Sequence, residues 1–159
     1  MPPLPVEPRD VSLREITEAS VVPIIKLSVA ESQKGFVAPN AVSLAQALFS
    51  KAAWYRGIYL GDEPAGFVML HDESLLDPPK PEPAIAVWRF MIDERFQGRG
   101  IGRSAMRQVI AQVRAKGLTT VLEVSYVPGT GCPEPFYRGL GFLPTGRMEG
   151  DEVVLELPL

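Results

Sequence analysis

Apolar and polar residues alternate in several short stretches of the chain, which is typical of β-strands with one buried face. This pattern predicts strands over residues 11–16, 55–60, 65–70, 84–92 and 119–127, and a final pair over 142–148 and 153–157. Short turns rich in Gly, Asp and Glu join the second strand to the third and the sixth to the seventh. Both pairs are therefore expected to form antiparallel hairpins.

Helical spacing of apolar residues is clearest over residues 100–116, and Gly117 is expected to end that helix. Its apolar residues recur on one helix face: Met106, Val109, Ile110 and Val113. A shorter helix is predicted over residues 133–140, closed by Gly141. It follows the fifth predicted strand.

Two further helices are predicted before the first hairpin. Ser20 is expected to cap the first, with Pro23 in its first turn and Gly35 just past its end. Its predicted apolar face consists of Val22, Ile25 and Val29. Asn40 is expected to cap the second, which would run through Leu48 or Phe49.

The predicted order of elements is β-α-α-β-β-β-α-β-α-β-β, with one clear strand–helix–strand crossover. This order predicts an α/β (α+β) fold built on a mixed, mostly antiparallel sheet flanked by helices. The length of 159 residues fits one domain, expected over residues 11–159. The first ten residues include four prolines, which predicts an extended arm over residues 1–10.

Composition excludes several classes of protein. The chain has 16 Lys+Arg and 19 Asp+Glu, and its net charge of −3 argues against nucleic-acid binding. One cysteine and one histidine exclude a cysteine-rich zinc site or any site that needs two histidines, so no metal is expected. No apolar run is long enough to span a membrane, and the start lacks a signal-peptide pattern. A cytoplasmic location is therefore expected.

A glycine-rich loop joins the fourth predicted strand to the best predicted helix. Residues 95–116 are free of acidic side chains and carry a concentrated positive charge, contributed by Arg95, Arg99, Arg103, Arg107, Arg114 and Lys116. The start of a helix offers unpaired backbone N–H groups and a partial positive charge, which suits a phosphate. The loop is therefore predicted to bind an anion; the alternative is that these cations only form the solvated face of the helix.

Two kinds of phosphate site compete for this loop. Residues 100–105 formally match the dinucleotide-binding pattern G-x-G-x-x-G/A, with Glu123 at the distance of the acidic residue. The match is weak, because Glu123 lies inside a strand and too little chain follows for a doubly wound domain. A P-loop is excluded because the loop contains no Gly-Lys-Ser/Thr.

The alternative match is Q/R-x-x-G-x-G/A, which residues 97–102 (QGRGIG) satisfy between a strand and a helix. Residues 135–142 (PFYRGLGF) resemble a second pattern, Y-x-x-x-G-F. Both patterns, together with the order of elements, resemble the GNAT acetyltransferases. Residues 29–40 and 88–93 are similar to the bacterial diamine (spermine/spermidine) acetyltransferases within that family.

The resemblance implies acetyl-CoA as cosubstrate. Its pyrophosphate would lie on the loop backbone and its pantetheine on the preceding strand, with an N–H near Met91 polarising the thioester carbonyl. Thr130 stands where many relatives have an asparagine that contacts pantetheine. The residues expected to hold the cofactor are therefore Phe90, Met91, Ile92, Gln97, Gly98, Arg99, Gly100, Ile101, Gly102, Arg103 and Thr130.

For catalysis, the resemblance implies Tyr137 as the proton donor to the departing thiolate. Some polyamine acetyltransferases carry a glutamate base at the position of Trp88, so the base has to be sought elsewhere. Glu31 is the first candidate, with a chain of water molecules as the alternative.

The acceptor implied by the resemblance is a primary amine, with a polyamine first. The residues expected to bind it are Glu31, Gln33, Phe36, Trp88, Glu149 and Asp151, and Glu152 lies in the same acidic hairpin. Three alternatives remain open: another amine such as an aminoglycoside or a protein N-terminus, a CoA-binding regulatory module without turnover, and surface charge without a binding role. Relatives often pair, so a homodimer is expected.

Overall fold

The computed structural model describes residues 7–159, so most of the predicted arm lies outside the described residues. From the arm, Glu7 forms an ion pair with Arg107 at 2.5 Å and lies 3.5 Å from Arg103. No helix in the described part of the chain is long and apolar enough to cross a membrane.

Within residues 7–159, the strands are β1 (Val11–Arg14), β2 (Ala53–Leu60), β3 (Glu63–Asp72), β4 (Ile85–Ile92), β5 (Val121–Tyr126), β6 (Leu143–Glu149) and β7 (Glu152–Pro158). These seven strands form one mixed sheet in the order β1-β2-β3-β4-β5-β7-β6. All neighbouring strands are antiparallel except β4 and β5, which are parallel and joined by a long helix. The predicted mixed, mostly antiparallel sheet is confirmed.

In the part of the chain that the structure describes, four α-helices cover the sheet: α1 (Val21–Ile25), α2 (Asn40–Ala47), α3 (Ile101–Lys116) and α4 (Glu134–Gly139). Helices α3 and α4 pack on one face of the sheet, and α1 and α2 pack on the other. The apolar face predicted for α3 is buried, and Gly117 ends the helix with a φ of 63°. A glycine suits that left-handed position because it lacks a Cβ.

The helix predicted from Ser20 to Gly35 is wrong in length and in face. Helix α1 ends at Ile25, and a separate 3-10 helix covers Glu31–Gln33. The chain between them binds the end of β4 instead, since Ser28 donates its N–H to Asp93 and accepts a hydrogen bond from the N–H of Glu94. These tertiary hydrogen bonds replace the helical ones.

The buried side of α1 also differs from the prediction. Ile24 is buried, whereas Val22 and Ile25 are exposed. Asn40 does not cap α2: it is the first helical residue, is itself buried, and donates through Nδ2 to the carbonyl of Ile24 at 2.9 Å. Its polar side chain joins α2 to α1 instead of closing the end of its own helix.

Candidate active site

Strands β4 and β5 pair at two positions, near the start of β4 and in the middle of β5, and the sheet opens beyond them. The register joins Ala86 to Glu123 and Val87 to Val124, and no later pair follows. Beyond Val87, the edge of β4 that faces β5 is therefore left without a partner strand. A cleft of about 930 Å³ lies there, lined by the free end of β4, the glycine loop, α4 and the loop before α2.

The glycine loop brings the start of α3 to the cleft. Gly98 and Gly100 have φ values of 73° and 79°, a region that disfavours residues with a Cβ. The first helical hydrogen bond runs from the N–H of Ser104 to the carbonyl of Gly100 at 3.1 Å. The N–H groups of residues 101–103 therefore precede the helical pattern and are suited to an anion.

Side-chain hydrogen bonds fix this loop to both neighbouring elements. Gln97 donates from Nε2 to the carbonyl of Ile92 at 2.9 Å and to Oε1 of Gln33 at 2.8 Å. Asp93 accepts from the N–H of Ser28 and from Arg95, and these bonds lower the pKa of its buried carboxyl although burial opposes them. The loop is thus held in place before any ligand binds.

Tyr137 lines the cleft from the short helix α4 and is only 6% exposed. Its ring packs edge-to-face against Phe136 and Phe142, with centroids 5.3 Å and 5.5 Å away. Burial raises the pKa of its hydroxyl above the usual value near 10. The hydroxyl therefore stays protonated at neutral pH and can donate a hydrogen bond to a negative charge that develops in the cleft.

Besides Arg103 of the glycine loop, three charged residues line the cleft: Lys34, Arg89 and Glu152. Glu152, on β7, accepts a hydrogen bond from the hydroxyl of Ser125 at 3.2 Å. Lys34 is paired with Glu31 at 2.6 Å. Arg89 follows Trp88 at a point where the β3–β4 register shifts.

Most residues predicted to form the site do line the cleft. They are Gln33, Phe36, Trp88, Phe90, Met91, Ile92, Gln97, Gly98, Gly100, Ile101, Gly102, Arg103 and Tyr137. Gln33 is held by hydrogen bonds to Ala30 and Gln97, so its carbonyl oxygen is already occupied by protein donors.

Five predicted site residues lie outside the cleft lining: Glu31, Arg99, Thr130, Glu149 and Asp151. The side chain of Glu31 is 88% exposed and bonded to Lys34, so the structure does not bring this candidate base to the reacting groups. Arg99 is exposed, with its guanidinium over the ring of Phe96. The other three are exposed on loops or at the end of β6.

Sequence reasoning did not single out Arg89 or Lys34. The signal for Arg89 was available, because it is the one charged residue in an otherwise apolar strand. The face of β4 on which the Arg89 side chain lies could not be predicted from the alternation of apolar and polar residues, since the register shift leaves Trp88 without a paired residue on β3.

Known proteins share this fold and pattern. The acetyltransferase (GNAT) family model matches residues 26–142. The spermine/spermidine N(1)-acetyltransferase of Bacillus subtilis is 26% identical over 150 residues, which span 92% of this chain and 97% of that protein.

Solved structures agree in fold. A GNAT family acetyltransferase from Elizabethkingia anophelis, with acetyl-CoA bound, superposes with a TM-score of 0.65 at 16% identity and covers 95% of this chain and 99% of its own. The PaiA N-acetyltransferase of Thermoplasma acidophilum, in complex with coenzyme A, has a TM-score of 0.65 at 12% identity, with 94% and 99% covered. Because the family model matches most of the chain, this protein belongs to the acetyltransferase (GNAT) family.

Proposed function

We propose that this protein transfers the acetyl group of acetyl-CoA to a primary amine by direct attack. The observation that carries the proposal is the free edge of β4 beside the glycine loop, with Tyr137 facing the same cleft. An edge strand can pair with an amide-containing chain, and the helix start can bind a phosphate. The free edge of β4 and the start of α3 lie side by side in one cleft.

Acetyl-CoA is the cosubstrate, and the residues present fit it. The backbone of residues 98–103 would hold the pyrophosphate, and Phe90, Met91 and Ile92 would pair with the pantetheine. Beyond Gly98 and its two chain neighbours, no atom of the described residues lies within 4 Å of the place where a Cβ on Gly98 would stand, so the loop backbone is open on that side. The group near Met91 that polarises the thioester carbonyl is assigned to an N–H on the free edge of β4, that of Phe90 or Ile92. The N–H of Met91 itself faces β3, because Asp93, two residues later, donates its N–H to Ala65.

The proposed reaction needs one proton acceptor and one proton donor. The amine nitrogen attacks the thioester carbon, the carbon–sulfur bond breaks, and the products are an N-acetylated amine and CoA. We assign the proton of the attacking ammonium to Glu152, directly or through water, because it is the carboxylate that lines the cleft. Tyr137 donates to the departing sulfur.

Polyamines are the first acceptors to test, because the relative at 26% identity is named as a spermine/spermidine N(1)-acetyltransferase. Glu152 could hold one ammonium group of such a molecule. Arg89 and Lys34 place positive charge in the same cleft. This charge favours a second class of acceptor, amines that also carry an anionic group.

Thiol release from acetyl-CoA tests the proposal, with polyamines, simple primary amines, an aminoglycoside and a short peptide as acceptors. Tyr137→Phe should lower kcat about 10²- to 10⁴-fold, because it removes the proton donor and keeps the ring. Tyr59→Phe is the matched control, since Tyr59 is buried at 7% exposure outside the cleft lining. Failure of every amine to release thiol, or full activity in Tyr137→Phe, would contradict the proposal.

We also propose the homodimer and the cytoplasmic location expected from the sequence. Sedimentation equilibrium of the purified chain tests the dimer, and fractionation of the source cells tests the location.

A further inference from the structure

Outside the glycine loop, the charged residues that line the cleft do not have the pattern expected for binding a polycation. A site for a polyamine needs carboxylates spaced along the cleft, because each ammonium group loses water on binding. Of the acidic residues predicted for that role, Glu31, Glu149 and Asp151 lie outside the cleft lining, and Glu152 alone lies in it. Lys34 and Arg89 line the cleft with it.

Arg89 is a partly buried cation without an acidic partner. Its Nη1 donates to the carbonyl of Trp88 at 3.0 Å and its Nη2 to Oε1 of Gln46 at 3.1 Å, while Nε is buried with no hydrogen-bond partner. No ion pair joins Arg89 to an acidic residue anywhere in residues 7–159. Both of its bonded partners are neutral, so no carboxylate is hydrogen-bonded to this guanidinium.

The guanidinium is also held in position. It lies over the ring of Trp88, with 5.7 Å from Cζ to the ring centroid, and Gln46 ties it to α2. Glu152 lines the same cleft, and its negative charge opposes the lowering of the Arg89 pKa that burial causes. Each Nη keeps a second N–H that the bonds to Trp88 and Gln46 do not use, and the planar guanidinium can offer that pair to a carboxylate.

We propose that Arg89 and Glu152 form a two-charge acceptor subsite for a primary amine that also carries a carboxylate, such as a short ω-amino acid. Glu152 binds the ammonium group that will be acetylated, and Arg89 binds the carboxylate at the other end. The inference rests on the proposed acetyl transfer for the role of the amine. The carboxylate subsite can be measured by binding alone.

Three acceptors of equal length separate the effect of tail charge from that of size. Putrescine has a cationic tail, butylamine a neutral one and 4-aminobutanoate an anionic one. The five-carbon series of cadaverine, pentylamine and 5-aminopentanoate repeats the comparison one methylene longer. Kd is measured by calorimetry with CoA present, and kcat/KM by thiol release with acetyl-CoA.

The subsite predicts that the anionic tail binds best and the cationic tail worst. A charged hydrogen bond of the expected strength gives a preference of about ten- to a hundredfold for the anionic over the neutral tail. Arg89→Gln should abolish that preference, Arg89→Lys should retain part of it, and Arg89→Glu should reverse it in favour of putrescine.

Arg56→Gln is the matched control. Arg56 also lies over a tryptophan, Trp54, at 4.7 Å and donates to a strand carbonyl, that of Tyr55, but it lies outside the cleft lining. Its substitution should leave the order of the three tails intact. Circular dichroism melts of all variants show whether each remains folded.

The outcomes separate this inference from the proposed function. Anion-selective binding that depends on Arg89 supports the subsite, with or without turnover; its presence without thiol release would retain the subsite and reject the acetyl transfer. A preference for putrescine, equal binding of all three tails, no measurable binding of any of them, or anion selectivity unchanged in Arg89→Gln would each overturn the subsite.

Discussion

Replacing Gly66 by alanine should destabilise the sheet where β3 meets β4 beside the cleft. Gly66 pairs with Ile92 at the end of β4. A Cβ built on Gly66 would lie 2.4 Å from the backbone oxygen of Met91 and 2.8 Å from Cδ1 of Ile92. The isoleucine can rotate away, but the backbone oxygen can move only if β4 moves.

The size of the effect follows from that clash. Overpacking a well-packed core costs about 1–3 kcal/mol. In a domain of this length, each kcal/mol lowers Tm by about 2–4 °C, so Gly66→Ala should lower Tm by about 2–12 °C. Because β4 would move at Met91, where the pantetheine is proposed to pair, KM for acetyl-CoA should also rise.

Gly139→Ala is the matched control, since nothing lies within 4 Å of its added Cβ and its backbone is helical. Alanine is favoured over glycine in a helix, so this variant should keep or slightly raise Tm. Differential scanning calorimetry and the KM for acetyl-CoA measure both variants. A Tm and KM of Gly66→Ala equal to those of the wild type would refute the packing argument.

Three further predictions concern charge and backbone conformation. Asp72 is buried and accepts a hydrogen bond from Lys116 at 2.5 Å, and that bond and those from Ser74 lower its pKa below 3.8 although burial opposes them. Asp72→Asn should therefore lower Tm at neutral pH. The difference from the wild type should shrink as the pH falls below the unfolded-state pKa of about 3.9 and should be lost once the pH passes the lower pKa of the folded carboxyl; a constant difference would contradict this sign. Glu152→Gln should lower kcat about a hundredfold or more, whereas Glu149→Gln, exposed and outside the cleft lining, should leave kcat unchanged; equal kcat values for the two variants would exclude Glu152 as the base. Gly100→Ala should raise KM for acetyl-CoA and destabilise the fold by about 1–2 kcal/mol, because φ at Gly100 is 79°. Denaturant titration measures the stability, and an unchanged free energy of unfolding together with an unchanged KM would contradict the prediction.

Elements with strong local patterns were predicted well. The buried face of α3, its end at Gly117 and the two hairpins follow from spacing and turn residues within a few positions. The first helix was predicted poorly because Ser28 bonds to Asp93 and Glu94, partners 65 and 66 positions away in the chain. Local propensity does not contain those bonds.

Candidate site residues divide in the same way. The glycine loop and Tyr137 belong to short patterns, and the structure brings both to the cleft. Glu31 was selected because its segment flanks the cleft, but its side chain extends into solvent toward Lys34. A segment's position can be inferred from a resemblance, whereas the direction of a side chain depends on its final packing.

The sequence by itself determined the order of elements, the amphipathic helix α3 and the loop that precedes it, since each depends on residues close together in the chain. Only the tertiary structure decided that β4 and β5 pair at two positions and then separate, and that Arg89 and Glu152 face one cleft. These features depend on strand register, which is set by packing between residues far apart in the chain, and a shift of one residue reverses the face of every side chain that follows.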